Sequence, residues 1–361
     1  VPEHYLSPVS MSILPSDHQP QAVTRLTALW ALNESGLGGL MFALKIPFTG
    51  IFVGGFAVVL IGLIAWYSRF SFKAIMKATV LVLIVKATVS PHAPPPAYLA
   101  VAFQGLLGAL LYSNIRSFTL ASLLLAPLAM LESALQKLIV LTLIYGNSLW
   151  TAVNRLFEGV SRDFFLPAHV PFSYGIIGLY LLLYLVWGLV TGWYAAGLPG
   201  RIGRHADEVL LFYRSRPAEE RQVLQAMRRR PFRRWLIPVL LLLFIIAVLL
   251  WGNRNPGSFA GYIVLRSMAM VILLFFVLRP LLNRLILYWL RTRDSGTRQQ
   301  AAELIGMLPG LQRFLRPSWQ LARNHGGKIR RLSFFILSLV ILSLYEEARP
   351  DPYPGRPGTL G

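Results

Sequence analysis

The sequence contains no cysteine, which excludes a disulfide framework, a thiolate metal site and a cysteine nucleophile. It is also poor in acid: 15 Asp and Glu stand against 35 Lys and Arg, a formal net charge of +20. No pair of aspartates lies beside a basic cluster in the manner of a prenyl or phosphosugar transferase. A Walker-type phosphate loop, an HExxH zinc helix and a Gly-x-Ser-x-Gly elbow are absent as well. The six histidines, at 4, 18, 92, 169, 205 and 325, never fall at metal-ligand spacing. Neither enzymatic chemistry, nor a metal, nor a cofactor is therefore expected of this chain. The first twenty residues lack a basic n-region and an apolar core, so a cleavable signal peptide is not expected and the first span leads insertion.

What the sequence has in abundance is apolar side chains. Of 361 residues, 55% are hydrophobic and only 14% charged, and the mean hydropathy is +0.56. Apolar runs approaching the roughly 20 residues that cross a bilayer recur through most of the chain, separated by Pro, Gly and Arg clusters. The expected fold is an all-α, polytopic membrane helical bundle in contact with the lipid bilayer. Between Pro199 and Arg234 ten arginines stand against four acidic residues, and between Arg279 and Arg331 eleven basic residues against two. Both blocks lie between apolar spans, where the positive-inside rule puts cytoplasmic loops. The charge thus reports membrane orientation and attraction to anionic headgroups, and nucleic acid is not an expected partner.

The spacing predicts a polar tail over 1–23 and six helices over 24–197. Their spans are Thr24 to Ile46, Ile51 to Tyr67, Phe72 to Val89, Ala97 to Tyr112, Phe118 to Tyr145 and Ser173 to Ala196. SPHAPPP, Ser90 to Pro96, is read as a non-helical stop, and 146 to 172 as a long loop. Arg69, Lys73, Lys77 and Arg116 mark inner loops, giving a cytoplasmic N-terminus, most simply in a bacterial inner membrane. A basic cytoplasmic linker follows at 198–234. A second membrane region, 235–345, carries spans at Trp235 to Trp251 and Phe259 to Leu278, then amphipathic interfacial helices at Arg279 to Arg293 and Gln299 to Arg323, the latter broken at Pro309 and Pro317. The run Leu332 to Tyr345 is short, and either crosses or lies in the interface. The tail 346–361 is rich in Pro and Gly, and disorder is expected there.

Polar groups inside the first six helices are the candidate site, because an ionisable side chain within a span is costly unless paired, protonated or wet. Glu34, Lys86, Gln104, Glu132 and Gln136 are expected to face a shared cavity that binds a small solute, with Asn147, Trp150 and His169 capping it. The alternative is that Glu132 pairs with Lys86 or Lys137 for structure alone. ALNESGLGGL (31 to 40) and AMLESALQKL (129 to 138) share a Glu-Ser pair at equivalent spacing, as a parallel repeat would. Along the first helix Thr27, Ala31, Ser35, Gly39 and Ala43 form a ridge of small residues that lets another helix approach closely, from this chain or from another subunit. Gly105, Ala109 and Ser113 form a second such ridge, and Gly188, Gly192 and Ala196 a third.

The ridge Ala31, Ser35, Gly39, Ala43, the KIPFTGIFVGG turn at 45 to 55, the proline-rich loop at 90 to 96 and QGLLGALL at 104 to 111 carry a resemblance. Residues 20 to 197 resemble the membrane-embedded substrate-binding (S) components of energy-coupling factor transporters. That resemblance implies a six-helix unit that docks a membrane coupling subunit through its first helix and binds a vitamin-like or isoprenoid-like metabolite. Residues 279 to 331 look like a coupling (T) component, which implies contact with ATPase subunits through Arg284, Arg291, Arg293 and Arg323. The family's short Ala-Arg-Gly type motif is not matched, Leu321-Ala322-Arg323-Asn324 being the nearest string. A second function class, a non-transporting scaffold or a lipid-modifying enzyme using Glu34 or Glu132, fits the same residues.

Overall fold

The computed structural model describes residues 19–43, 49–90, 93–163, 172–215 and 295–346, with isolated positions between 268 and 284. Among the described residues there is no strand, and the fold is all-α. Helix α1 (Gln19–Leu32) runs through a π-helical turn (Asn33–Leu37) into α2 (Gly38–Ala43); α3 (Thr49–Tyr67), α4 (Phe72–Val89), α5 (Pro95–Asn114) and α6 (Phe118–Tyr145) follow. Next come α7 (Asn147–Asp163), α8 (Phe172–Ala196), α9 (Leu198–Arg214), α10 (Ser295–Gln312), α11 (Leu315–Arg323) and α12 (Lys328–Tyr345).

Local chemistry sets the boundaries. Ser71 caps α4 by accepting from the Ala74 amide, and Ser117 caps α6 by accepting from Leu120. Gly146 ends α6 at φ 70°, a left-handed angle that suits glycine.

Helix α3 is the hub. It is buried along nearly its whole length from Ile51 to Tyr67, and α1, α4, α5, α6 and α8 all pack on it. Helices α3, α5, α6 and α8 are each long and apolar enough to cross a membrane. The outer helices show why lipid is needed. Leu99, Leu106 and Leu110 on α5, Leu124, Leu128 and Ile139 on α6, and Leu179, Leu183 and Trp193 on α8 are all exposed. An apolar belt this continuous is out of place in water and costs nothing against acyl chains.

All six spans expected in the first half fall on helices, and four of them, α3, α5, α6 and α8, are apolar and long enough among the described residues to cross a membrane by composition alone. Helix α4 carries Lys73, Lys77 and Lys86, and α1 holds Arg25 and gives way to the π-helical turn. Both are nonetheless deep in the bundle, with Leu26, Trp30, Ile75 and Val85 at 0% exposure.

The proline stop is shorter than expected. Pro94 caps α5, and Pro95 and Pro96 open it, because a first-turn proline gives up only an amide that has no helical partner anyway. The expected loop at 146 to 172 contains α7. Its Trp150 Nε1 donates to Thr142 Oγ1 of α6 at 3.1 Å, and its Asn154 Oδ1 accepts from the Ser173 amide at 2.8 Å, tying α7 to both neighbouring helices. The linker from 198 begins as helix α9, which buries Ile202, Ala206, Val209 and Tyr213.

The breaks expected at Pro309 and Pro317 fall instead at Arg313 and Phe314, between α10 and α11. Pro317 sits in the first turn of α11, where proline is tolerated, and α10 ends one turn past Pro309. Residues Leu337 to Leu344 of α12 are all buried, against α1, α9 and α11. This part of the run is therefore an interior element of the bundle, its apolar side chains spent on contacts with protein. The span expected at Trp235 to Trp251 lies outside the described residues, as do all but isolated positions of Phe259 to Leu278 and of Arg279 to Arg293.

Candidate polar site within the bundle

The sequence of α1 changes character at Asn33, where Asn-Glu-Ser and three glycines replace apolar residues, and there the helix takes up its π-helical turn. A π-bulge reorients side chains by inserting one extra residue, and such bulges recur at functional sites. Here it turns Asn33, Glu34 and Ser35 into the interior, all buried.

Glu34 finds its partner on α4. Lys86 Nζ donates to Glu34 Oε2 at 2.6 Å, with the two side chains 4% and 5% exposed. Lys86 also donates to the Ala97 carbonyl at 3.1 Å, and its ammonium lies 5.9 Å from the Tyr98 ring centroid. Two of the ammonium's three N–H donors are thus held within the chain.

Beside this pair, two amides flank the Val53–Gly54 peptide of α3. Asn33 Nδ2 donates to the Val53 carbonyl at 2.9 Å. On the other side, Gln104 Nε2 of α5 lies 3.2 Å from where a Gly54 Cβ would stand, with Met130 Cε at 3.0 Å and Ser133 Oγ at 3.8 Å. Glycine at 54 is what lets these side chains reach α3, since a methyl group there would press on both Met130 and Gln104. The result is one polar layer drawn from α3, α4, α5, α6 and the π-helical turn.

Three oxygens in or next to this layer are buried without a hydrogen-bond partner: Asn33 Oδ1, Gln104 Oε1 and Glu132 Oε2. Gln104 and Asn33 are 2% and 3% exposed. Glu132 and Gln136 continue the stripe Ser122, Leu125, Ala129 at helical spacing. That stripe faces α5, since Ser122 bonds Tyr112 at 2.8 Å and Leu125 lies against Gly108. Glu132 does not pair with Lys86, whose partner is Glu34, and Lys137 is exposed.

Of the residues expected to share a cavity, Glu34 and Lys86 come together, while Gln104 lies against Gly54 of α3 and Glu132 is next to Ser133, which reaches the same glycine. Gln136 is half-buried one turn further along. Asn147 and Trp150 are not brought to the layer: Trp150 is spent on Thr142 and Asn147 is exposed at the start of α7. His169 lies outside the described residues. Asn33, Ser133 and Gly54 were not among the expected site residues. Asn33 and Ser133 occupy the two similar strings in α1 and α6, and those strings meet the same α3 peptide from opposite sides.

The small-residue ridge of α1 is used inside this chain. Thr27, Ala31 and Ser35 are buried, and a Cβ at Gly39 would stand 3.5 Å from Ser90 Oγ; Ala43 lies in α2. Gly188 and Gly192 admit the α6 backbone, with Pro127 Cα at 2.5 Å and the Ser122 carbonyl at 2.8 Å from their Cβ positions. Gly105 sits against Thr79 of α4. Ser113 leaves its ridge, being exposed and bonded to the Leu110 carbonyl. Of the expected coupling arginines, Arg323 is exposed at the end of α11 and Arg284 is exposed at an isolated position, while Arg291 and Arg293 lie outside the described residues.

Apolar outer faces and a buried polar layer define a helical membrane protein with a polar interior. Compared with protein-family models, with curated proteins and with solved structures, the chain matches none.

Proposed function

We propose that the chain is a solute-binding subunit of a membrane transporter, taking up a small metabolite into the polar layer around Asn33, Gln104 and Glu132. The observation that carries this reading is the set of three buried acceptors with no partner inside an apolar bundle. Each such orphan costs about 1–3 kcal/mol, and the donors of a bound solute would offset that cost. A layer kept only for structure has no need of the surplus, since the Glu34–Lys86 pair already neutralises itself.

In this reading the membrane is a bacterial inner membrane with the N-terminus in the cytoplasm, the turns holding Arg69 and Arg116 facing inward. The chain works as an S-component-like unit. Its basic face, with Arg284, Arg291, Arg293 and Arg323, meets a coupling partner, and ATP is hydrolysed on that partner.

A ligand that binds only the native chain raises its melting temperature. Screening the detergent-solubilised full chain against a panel of vitamins, amines and isoprenoid alcohols is expected to yield at least one shift that Gln104→Leu abolishes. A panel with no shift, from a chain that folds and unfolds cooperatively, overturns the binding reading. Copurification of an ATPase with the tagged chain, lost on replacing Arg284, Arg291 and Arg293 by Ala, tests the coupling half separately.

A further inference from the structure

We infer that α7 is an interfacial helix, resting on phospholipid at the membrane surface opposite the Arg69 and Arg116 turns and held there by its apolar face, with no selection for lipid charge. The ends of the spans set the level. Helices α6 and α8 pack antiparallel, Gly188 against Pro127 and Gly192 against Ser122. Tyr145 at the end of α6 and Tyr174 at the start of α8 therefore stand at one end of the pair, and Trp193 stands at the other. All three aromatic residues are exposed. Tyr174 and Trp193 are nineteen residues apart on one helix, about 28 Å of rise, which matches the roughly 30 Å hydrocarbon core of a bilayer. Exposed Tyr and Trp at such positions settle at headgroup level. The Arg69 and Arg116 turns belong to the far end, where Trp66 and Phe70 meet Phe118 at the start of α6.

Helix α7 starts one residue after Tyr145. Trp150 and Asn154, one turn apart and so on one face, are held by Thr142 of α6 and by the Ser173 amide of α8. Anchored to both spans, α7 lies across their ends and does not prolong α6. Asn147, Thr151 and Arg155, spaced four apart, form an exposed polar stripe. Leu149 and Val153 form a half-buried apolar one, and in the sequence Leu156, Phe157 and Val160 keep the same register. This apolar stripe begins where the exposed lipid-facing belt ends, at Leu143 and Tyr145 of α6 and at Tyr174 and Ile176 of α8. That continuity assigns the occupant as lipid, since an apolar face at headgroup level is covered by the acyl boundary while its polar stripe meets water. Over its length α7 carries two arginines and two carboxylates, so it has no net charge with which to select an anionic surface.

Because the chain has no cysteine, a nitroxide can be placed at one position of the full chain at a time. Val153→Cys and Leu149→Cys report the apolar stripe, Arg155→Cys the polar one, and Leu183→Cys, exposed midway along α8, the hydrocarbon. In phosphatidylcholine vesicles, relaxation by oxygen, which enters lipid, is compared with relaxation by a nickel chelate, which stays in water. The oxygen-to-nickel ratio is expected to be several-fold higher at Val153 than at Arg155, and highest at Leu183. The same order is expected with anionic lipid added and at about 1 M salt, where charge is screened beyond about 3 Å. If Val153→Cys does not fold, Leu149→Cys reads the same face. A Val153 label as open to nickel as the Arg155 label overturns the proposal by placing the helix in water. A label closed to both reagents overturns it too, since protein then covers the face; broadening between labels on different molecules would identify a second copy as the cover. Lipid contact that appears only with anionic lipid and vanishes in salt overturns the charge-independent assignment.

Discussion

Lys86 Nζ lies 2.6 Å from Glu34 Oε2, and neither side chain is more than 5% exposed. The pair joins the π-helical turn after α1 to the C-terminal end of α4, across 52 residues of sequence. Removing one member leaves the other charged and buried, a loss of about 3–5 kcal/mol in comparable pairs. Glu34→Gln and Lys86→Met are therefore each expected to lower the melting temperature sharply. The double variant Glu34→Leu with Lys86→Met is expected to recover most of that loss, because no charge then remains to be solvated. Additive losses in the double variant would mean that the pair is not coupled as described.

The antiparallel contact of α6 and α8 depends on two missing side chains. A Cβ at Gly188 would stand 2.5 Å from Pro127 Cα, and one at Gly192 would stand 2.8 Å from the Ser122 carbonyl. Backbone cannot yield as a flexible side chain can. Gly188→Ala is expected to destabilise the chain by about 1–3 kcal/mol, the range for overpacking. Gly178→Ala, on the same helix with open space around it, is the control expected to be neutral or slightly stabilising. Equal unfolding curves for the two variants would discount the close approach.

Much of this was legible in the sequence because spans and their ends are written in local terms. Phe72 to Val89 and Phe118 to Tyr145 were read with the observed limits, as serine caps and long apolar runs require no knowledge of neighbours. The polar layer was only half legible. That Glu34 needs a partner follows from burial cost alone, but choosing Lys86 required the relative positions of α1 and α4, which pairwise packing decides. Gly54 carried no signal of its own: one glycine among several becomes informative only when the side chains around it are placed. The interior position of α12 was hidden for a related reason, since its apolar run is short for a span and only its packing against α1, α9 and α11 shows that protein covers it.

Arg25 joins the two ends of the described chain. Its Nη1 donates to the Leu344 carbonyl at 2.7 Å and to the Glu346 carbonyl at 3.1 Å. These oxygens belong to the frayed end of α12, where helical amide donors run out and a cation is also favoured by the helix dipole. Charged hydrogen bonds of this kind contribute about 1.5–3 kcal/mol. Arg25→Met, which keeps the stem and removes the guanidinium, is expected to loosen the end of α12 selectively. Limited proteolysis should then cut after Tyr345 faster than in the wild type, with cutting at the α3–α4 turn, where Arg69 is exposed, unchanged. Parallel acceleration at both sites would indicate general destabilisation and would discount a local staple.

The surface formed by α11 and the start of α12 has the composition of a membrane interface. Trp319 is 50% exposed and meets Phe335 edge-on with ring centroids 5.8 Å apart, while Ile329 is 83% exposed between Lys328 and Arg330. An apolar tip flanked by cations suits the headgroup layer, where the rings and methyls reach the acyl boundary and the charges meet phosphate. In vesicles containing anionic lipid, indole emission at Trp319, taken as the difference between wild type and Trp319→Phe, is expected to be quenched by lipids brominated near the headgroup. Bromines near the chain ends should quench it much less. Replacing Arg316, Arg323, Lys328 and Arg330 by Gln should weaken the shallow quenching, and raising the salt should do the same for the wild type, because surface attraction of this kind is screened within about 10 Å at 0.1 M salt. Quenching that is strongest from the bilayer centre would move this segment into the hydrocarbon and remove the interfacial assignment.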